Sequence, residues 1–429
     1  MNIIIHPHPN EWAALCQRNA PCDDQVIESV QRIVATVRSE GDDALRRFAR
    51  EFDNAELTHI KLSMQERNAL AAQTQPEVQQ AIQHALQNIR AFHQAQLPQT
   101  VEVETQPGVR CVQRAVPIQR VGLYIPGGRA PLFSTVLMLA APAVIAGCKE
   151  IVLCTPQGAD GRIAPEIIFA ANACGIHHIY RVGGAQAIAA MAYGTESIPR
   201  VDKIFGPGNR YVTHAKQLVS TDTAIDMPAG PSEVLVMADH TAHADYVAAD
   251  MLSQAEHGPD SQAILVCDSL PLAQQVAAEV ERQTALLPRR ELVEMSLKHS
   301  RIIVLEGREQ MLDFSNTYGP EHLILSVEAP WQMAKGVTAA GSVFVGNYSP
   351  ESAGDYASGT NHTLPTSGWA RAYSGVNTDS FMRKITFQEL TQQGLQSLAN
   401  TIVTMAEAEG LHAHAQAVRV RRGDNKRGI

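Results

Sequence analysis

The sequence lacks the features that would place it in a membrane, in an oxidising compartment or on nucleic acid. No apolar run of about 18 residues is free of charge and helix breakers, and the first residues, MNIIIHPHPNEW, contain no basic region followed by a long apolar one. Seven cysteines occur without any CxxC pair, as is typical of a reducing cytosol. Acidic residues outnumber basic ones by 44 to 35, so the net charge is −9. We therefore expect a cytoplasmic protein whose partners are neither nucleic acid nor membrane.

Two compact fingerprints of enzymes are also missing. No GxGxxG occurs, since GPGNRY at 206–211 has only the first two glycines, and no HExxH marks a metal site. Glycines nevertheless follow three predicted strands, at 127–128, 183–184 and 206–208, where backbone N–H groups could approach a phosphate. A nucleotide site and ordinary tight turns between strand and helix are equal alternatives at these positions.

The hydrophobic pattern predicts an α/β fold. From Asp23 to about Gln96 apolar residues recur every three or four positions, which predicts helices. From Val121 to about Ala238, and again from about Glu233 to Val345, strands alternate with glycine turns and helices. This rhythm predicts βαβ units in two mainly parallel, doubly wound sheets, with ligands at the carboxyl ends of the strands. The predicted helices of the first alternating region are 132–146, 165–174, 185–193 and 210–219, and a final helix is expected near Phe387 to Glu409.

One helix end presents two possible metal ligands. A helix that starts near Thr241 turns its apolar residues to a core, and Gly258-Pro259 ends it within SQAEHGPDSQ at 253–262. Gln254 and His257 stand three apart, so their side chains are neighbours on the last turn. Histidine is the commonest metal ligand and a Gln oxygen is a possible companion, although a polar couple at a helix end is more often a cap or solvated surface.

Other polar loops offer further groups for chemistry. Ser232 precedes a strand, and Glu321 and His322 stand side by side in YGPEHLIL, between a Gly-Pro turn and an apolar strand. Such a pair offers two proton-transfer groups, although a histidine hydrogen-bonded in place at a strand end would look the same. The loop at 347–368 and the carboxyl-terminal tail add the remaining candidates, which are Glu351, Asp355, His362, Glu407, Glu409, His412 and His414. None of these spacings forms a compact metal motif, so a metal site would be assembled over long range, and hydrogen-bonded loop carboxylates and surface histidines are the alternatives.

Together these stretches resemble the histidinol dehydrogenase family. The runs that carry the resemblance are VGLYIPGG, APLFSTVLM, VGGAQAIAA, KIFGPGN, IDMPAGPSEVLV, MLSQAEHGPDSQ, YGPEHLI, SPESAGDYASGTNH and LPTSGWAR. They extend in one order from about Val121 to the carboxyl tail, whereas the residues before about 100 match the family only in helical character. The resemblance implies oxidation of L-histidinol to L-histidine through a bound histidinaldehyde, with two NAD⁺ and one Zn²⁺ per active site.

The resemblance also implies a role for each candidate residue. The zinc ligands would be Gln254, His257, Asp355 and His414, the last from the partner subunit, with His412 also available beside it. Glu321 and His322 would be the acid–base pair. The substrate would contact Ser232, Gln254, His257, His322, Asp355, Glu409 and His414. The NAD site would be lined by Tyr124, Gln186 and Asn209.

For the fold, the resemblance implies two incomplete Rossmann-like, doubly wound domains with extended helical terminal segments, in an intertwined homodimer with shared active sites. The expected divisions are an N-terminal segment at 1–22, a discontinuous domain at 23–123 and 234–376, a second domain at 124–233, and a dimer-crossing segment at 377–429. The incomplete domains would account for the missing GxGxxG.

Two other functions are compatible with the same residues. A zinc hydrolase could use Glu321 to activate metal-bound water, and it would need no nicotinamide. A binding protein could close two α/β lobes on an imidazole or an amino acid and consume nothing. Formation of NADH from histidinol would separate a dehydrogenase from both.

Overall fold

The computed structural model describes residues 1–18, 24–127, 131–158, 160–228 and 230–423. The chain divides into two compact units, the larger of Met1–Gln96 with Ile118–Phe381 and the smaller of Leu97–Pro117 with Met382–Ile429. No helix in the described ranges is long and apolar enough to cross a bilayer.

Strands and helices alternate through most of the chain. The strands are β1 (Asn2–Ile5), β2 (Val101–Gln106), β3 (Val109–Pro117), β4 (Arg120–Tyr124), β5 (Glu150–Cys154), β6 (His178–Tyr180), β7 (Lys203–Phe205), β8 (Ala224–Ile225), β9 (Glu233–Ala238), β10 (Gln262–Cys267), β11 (Arg301–Val304), β12 (His322–Ser326), β13 (Ser342–Val345) and β14 (Met382–Leu390). The helices are α1 (Trp12–Leu15), α2 (Asp24–Asp53), α3 (Met64–Ala71), α4 (Pro76–Gln94), α5 (Phe133–Ala146), α6 (Pro165–Cys174), α7 (Gly184–Tyr193), α8 (Arg210–Val219), α9 (Ala244–Ala255), α10 (Leu270–Thr284), α11 (Arg290–Leu297), α12 (Gly307–Tyr318), α13 (Pro330–Ala334), α14 (Glu351–Tyr356), α15 (Gln392–Ala408) and α16 (His412–Arg422).

The first sheet of the larger unit is parallel throughout and has the strand order β6-β5-β4-β7-β8. The chain moves outward from β4 to β6 and then returns to the other side of β4 for β7 and β8. The helices between these strands lie where the apolar periodicity predicts them. The bounds of α6 and α8 are those predicted, and the starts of α5 and α7 differ from the prediction by one residue.

The second sheet of the larger unit is also parallel, with the order β1-β11-β10-β9-β12-β13. β9 and β10 are buried at every position, and as central parallel strands they are almost continuous apolar runs. The apolar pattern does not predict the edge strand β1, because four residues carry too little periodicity. The predicted α/β class with mainly parallel sheets is confirmed, whereas the Rossmann-like description of the two sheets stays a prediction.

The helical opening of the chain, which the sequence predicts, packs against the helices of the first sheet. α2 contacts α7 and α8, α3 contacts α6, and α4 contacts α5 and α6. Gly41 interrupts α2 with φ 54° and ψ −130°, where a side chain would collide with the carboxylate of Glu196. These contacts tie the helices from α2 to α4 to the sheet that contains β4, while the predicted domain boundaries stay a prediction.

The smaller unit contains an antiparallel sheet of the order β14-β3-β2, followed by α15 and α16, which pack against each other. The predicted helix near Phe387 to Glu409 is wrong at its start, because Met382–Leu390 is a strand that pairs with β3 along its whole length. Helix α15 begins only at Gln392, where the hydroxyl of Thr391 accepts a hydrogen bond from the N–H of Gly394 and caps the helix.

A buried ion pair holds the turn between β7 and α8. Lys216 of α8 donates to the carbonyl oxygen of Gly206 at 2.8 Å and pairs with Asp226, and both charged side chains are at most 5% exposed. Asp226 also accepts from the N–H of Gly206 at 2.8 Å. Gly206 has φ 128°, and a Cβ on it would collide with the carbonyl oxygen of Tyr124. Glycine geometry and a charge pair therefore fix the same turn.

Replacing Lys216 by Met should destabilise the fold by about 3–5 kcal/mol, because the Asp226 carboxylate is then buried without its partner. Urea unfolding followed by circular dichroism measures this change. Lys298→Met, which removes an exposed lysine, is the matched control and should change the free energy of unfolding by less than about 0.5 kcal/mol. Equal stabilities of the two variants would contradict the role of the pair.

Candidate active site

The predicted acid–base pair lies at the amino edge of the second sheet. His322 is the first residue of β12, and Glu321 directly precedes it, after α12 ends at Gly319 in a left-handed conformation. β12 pairs with β9, whose first residue is Glu233. The predicted pair therefore lies at the edge opposite to the carboxyl ends of the strands, where an alternating pattern of strands and helices predicts ligands.

Helix α9 brings Gln254 and His257 to the same edge. A helix that connects two parallel strands runs antiparallel to them, so its carboxyl end lies beside the amino ends of the strands. Gln254 is buried in the last turn of α9, whereas His257 follows the helix and is exposed. The loop after β13 contributes α14, which begins at Glu351 and places Asp355 one turn later.

Three side chains from these elements form a cluster with the spacing of a metal site. A ring nitrogen of His257 and one carboxylate oxygen each of Glu351 and Asp355 lie within 4.8 Å of one another. The amide of Gln254 borders this cluster. Its hydrogen-bond partners assign its nitrogen as a donor to Glu351 and its oxygen as an acceptor from the N–H of Glu233 at 3.0 Å. The structure thus brings three of the four predicted zinc ligands together and adds Glu351 to them.

His322 is held through one ring nitrogen and is unbonded at the other. Its Nδ1 lies 3.3 Å from the carbonyl oxygen of Glu233, which favours a proton on Nδ1 when the ring is neutral. Its Nε2 is buried, makes no hydrogen bond to any residue in the described ranges, and lies 3.6 Å from Oδ1 of Asp355. A neutral ring in this tautomer has the lone pair on Nε2, as a general base requires.

Glu321 is buried beside His322 and, like His322, contacts the backbone of Glu233. Its Oε2 accepts a hydrogen bond from the N–H of Glu233 at 2.8 Å and lies 3.6 Å from Nδ1 of His322. Burial raises the pKa of Glu321 to about 8, and burial likewise raises the pKa of Glu351 to about 8. Burial acts in the same direction on Asp355, but His322, His362 and His257 together outweigh it and lower the pKa of this carboxyl.

The surrounding carboxylates dominate the electrostatics of His322. Burial by itself would lower the pKa of the ring, but the charges of Glu351, Glu321 and Asp355 raise it to about 10. A neutral base at physiological pH therefore needs another positive charge close to these carboxylates.

A divalent cation bound at the cluster would supply that charge. The donor set fits such an ion, because imidazole nitrogen together with carboxylate and amide oxygen suits zinc. His257 is exposed as a residue, but desolvation of its ring lowers its pKa, and this direction favours the neutral form that binds a metal. The residues present therefore fit the zinc ion that the family resemblance implies.

The remaining predicted residues have different surroundings. His362 is anchored, since its Nδ1 lies 2.9 Å from the carbonyl oxygen of Asp355 and its Nε2 lies 3.3 Å from the hydroxyl of Thr135. Ser232 directly precedes β9 at the same edge as the acid–base pair. Glu409 and His414 are exposed residues of the smaller unit, and their predicted roles stay predictions.

The sequence reasoning gives no role to one buried acidic residue of the site, Glu351, and does not name another, Glu233. Glu351 is grouped there with Asp355 only as a loop residue, but a helix at 351–356 places side chains four apart on one face. Glu233 is the only charged residue of the apolar strand EVLVMA, and a charge in a strand buried on both faces is itself a signal of a specific partner.

The three predicted NAD residues lie at the carboxyl ends of strands in the first sheet. Tyr124 ends β4, and its hydroxyl accepts a hydrogen bond at 3.1 Å from the N–H of Gly184, which begins α7. Gln186 is buried in the first turn of α7. Asn209 follows the β7 turn and caps α8, because its Oδ1 accepts from the first N–H groups of that helix.

The same edge has polar atoms without hydrogen-bond partners. Oγ1 of Thr155 and Nε2 of Gln157, both just after β5, are buried and unbonded among the described residues. Unmet polar atoms at the edge of the sheet where α7 and α8 begin suit a polar, anionic ligand such as a dinucleotide. The carboxyl edge of the first sheet therefore fits the NAD site that the resemblance implies.

Comparisons with known proteins agree on one family. The sequence model described as histidinol dehydrogenase matches residues 16–422. A histidinol dehydrogenase of Bacteroides thetaiotaomicron is 53% identical over 422 residues, which cover 98% of this chain and 99% of that protein. One from Vibrio parahaemolyticus is 54% identical and covers 92% of each chain. The crystal structure of histidinol dehydrogenase from Elizabethkingia anophelis matches with a TM-score of 0.96 at 52% identity, over 99% of this chain and 98% of that one. The chain therefore belongs to the histidinol dehydrogenase family, as its motifs predict.

Proposed function

We propose that the chain oxidises L-histidinol to L-histidine, the last step of histidine biosynthesis, through a bound L-histidinaldehyde. Two NAD⁺ and one Zn²⁺ per active site would take part. The observation that carries the proposal is the unbonded Nε2 of His322, 3.6 Å from Asp355 and next to a cluster with the spacing of a metal site. Membership of the family supports the choice of substrate.

The zinc ion would be held by Gln254, His257 and Asp355, together with His414 of the partner subunit. When bound, zinc would orient the substrate and offset the charge of the buried carboxylates. Glu351 would support the site through its hydrogen bond from the amide nitrogen of Gln254. This arrangement agrees with the usual pattern in which metal ligands are themselves hydrogen-bonded by neighbouring groups.

In the first half-reaction, Nε2 of His322 takes the proton of the substrate alcohol. The contact between Nδ1 and the carbonyl oxygen of Glu233 keeps the ring proton on Nδ1, so the lone pair stays on Nε2. In both half-reactions, bound NAD⁺ would accept a hydride from the substrate carbon. General base catalysis of this kind contributes about 10²–10⁴-fold to a rate.

In the second half-reaction, Glu321 takes a proton from the water that attacks the aldehyde. Burial raises the pKa of Glu321 to about 8, and a cation bound at the neighbouring cluster would lower it again, so that the carboxylate can accept this proton. The N–H of Glu233 holds Oε2 and thereby keeps the carboxyl in one orientation during the transfer.

The remaining predicted residues complete the binding sites. Ser232 and Glu409 would help to hold the substrate. NAD would be bound by Tyr124, Gln186 and Asn209. Glu409 and His414 belong to the smaller unit, which contains the carboxyl-terminal tail. The proposal includes a cytoplasmic homodimer in which the tail of each subunit completes the site of its partner.

Counting the NADH formed per histidinol tests the reaction. We expect two, because oxidation of an alcohol to a carboxylate removes four electrons. Dialysis against a chelator should abolish turnover, and added Zn²⁺ should restore it. Cleavage of amides or esters without NADH would favour a zinc hydrolase, and binding of histidinol without turnover would favour a binding protein.

His322→Asn should lower the rate of histidinol oxidation by about 10²–10⁴-fold while zinc stays bound, because the variant loses the base but no predicted zinc ligand. Stopped-flow assays started with histidinol or with histidinaldehyde separate the two half-reactions.

Glu321→Gln should instead lower the rate of aldehyde oxidation more than the rate of alcohol oxidation. His240→Asn, which changes an exposed histidine, is the control. A His322→Asn enzyme with near wild-type rate, or equal losses in both half-reactions for Glu321→Gln, would refute the roles.

A further inference from the structure

We infer that Arg18 and Glu233 are positioning residues for the acid–base pair, which they hold in place through the backbone of Glu233. The inference rests on the proposed function, because it concerns how Glu321 and His322 are oriented. No motif in the sequence includes Arg18, which lies more than 200 positions before Glu233.

The backbone of Glu233 contacts three side chains of the site. Its N–H donates to Oε2 of Glu321 at 2.8 Å and to the amide oxygen of Gln254 at 3.0 Å. Its carbonyl oxygen lies 3.3 Å from Nδ1 of His322. A rotation of this one residue would therefore disturb the acid, the base and a predicted zinc ligand together.

The side chain of Glu233 is the anchor of that backbone. It is 1% exposed, and Arg18 binds it with two hydrogen bonds, from Nε to Oε2 at 2.8 Å and from Nη2 to Oε1 at 3.0 Å. The hydroxyl of Tyr318 lies 3.3 Å from Oε2 and donates a shorter bond to Gln262 on β10 at 2.7 Å. A paired guanidinium and carboxylate of this geometry have a fixed relative orientation.

Arg18 also holds the segment that leads into the acid–base pair. Its Nη2 donates to the carbonyl oxygen of Tyr318 at 2.7 Å, and its guanidinium lies 3.6 Å from the centre of the Tyr318 ring. Tyr318 is the last residue of α12, three positions before Glu321. One arginine thus joins the start of β9 to the turn that delivers the acid–base pair.

A second ion pair on the same strand provides a matched comparison. Arg308 donates to Asp239 at 2.8 Å, and the Asp239 side chain is also 1% exposed. Asp239 follows β9 at its carboxyl end, so it lies roughly 20 Å along the strand from Glu233. Both pairs stabilise β9, but only the pair at Glu233 contacts the acid–base pair.

The test compares the double variant Arg18→Met/Glu233→Met with the control double variant Arg308→Met/Asp239→Asn. Replacing both partners avoids leaving a buried charge alone. We expect the Arg18→Met/Glu233→Met variant to lower kcat per zinc-loaded site by about 10–100-fold and to change the KM for histidinol by less than about threefold. Hydrogen exchange at the amide of residue 233 should accelerate at least about tenfold. Arg308→Met/Asp239→Asn should leave kcat and this exchange rate unchanged.

Two outcomes would overturn the inference: an unchanged kcat in the Arg18→Met/Glu233→Met variant, or an equal fall in kcat for Arg308→Met/Asp239→Asn, which would mark a general loss of stability. Should the Arg18→Met/Glu233→Met variant not fold, Glu233→Gln keeps the shape of the side chain and is judged by the same kcat and exchange measurements. If the wild-type protein forms no NADH from histidinol, the proposed function fails, while the exchange comparison still decides whether the ion pair holds the backbone of Glu233.

Discussion

The candidate site depends on the burial of several carboxylates around one imidazole. Glu321 and Glu351 are almost fully buried, Asp355 nearly so, and all three surround His322. Burial of like charges is costly, and here it raises the pKa of Glu321 and Glu351 to about 8 each. A cluster of carboxyls with such raised pKa values beside a buried histidine is typical of a functional site. The same negative charge that favours a proton on His322 would also attract a cation, and a bound cation would allow His322 to be neutral.

The topology determines which edges of the sheets carry the predicted acid–base pair and the predicted NAD residues. In the second sheet the carboxyl end of α9 and the amino ends of β9 and β12 meet, and the acid–base pair lies there. In the first sheet the predicted NAD residues lie at the carboxyl ends of the strands. The two edges meet where Thr135, near the start of α5, contacts His362, whose other ring nitrogen approaches the carbonyl oxygen of Asp355. A nicotinamide at the first edge would therefore be close to a substrate at the second.

The sequence predicts local features well and long-range assembly poorly. Apolar periodicity places α6 and α8 at their observed bounds. It also predicts the helix that carries Gln254, although α9 ends at Ala255 and leaves His257 beyond the last turn. Periodicity cannot find β1, whose four residues form a strand only by pairing with β11, or the start of β14, which depends on pairing with β3. It also cannot join Asp355 to a helix end about 100 positions earlier. That link came from the resemblance to a family.

The amino-terminal segment illustrates why such links matter for function. Trp12 packs against Phe314 with ring centroids 5.5 Å apart, and Arg18 stacks on Tyr318. The segment therefore contacts two successive turns of α12 on one face. That helix ends at the turn before Glu321, and any shift of α12 along its axis would therefore move the acid–base pair. Residues with little sequence signal of their own thus control the geometry of the site, because they fix the element that ends beside it.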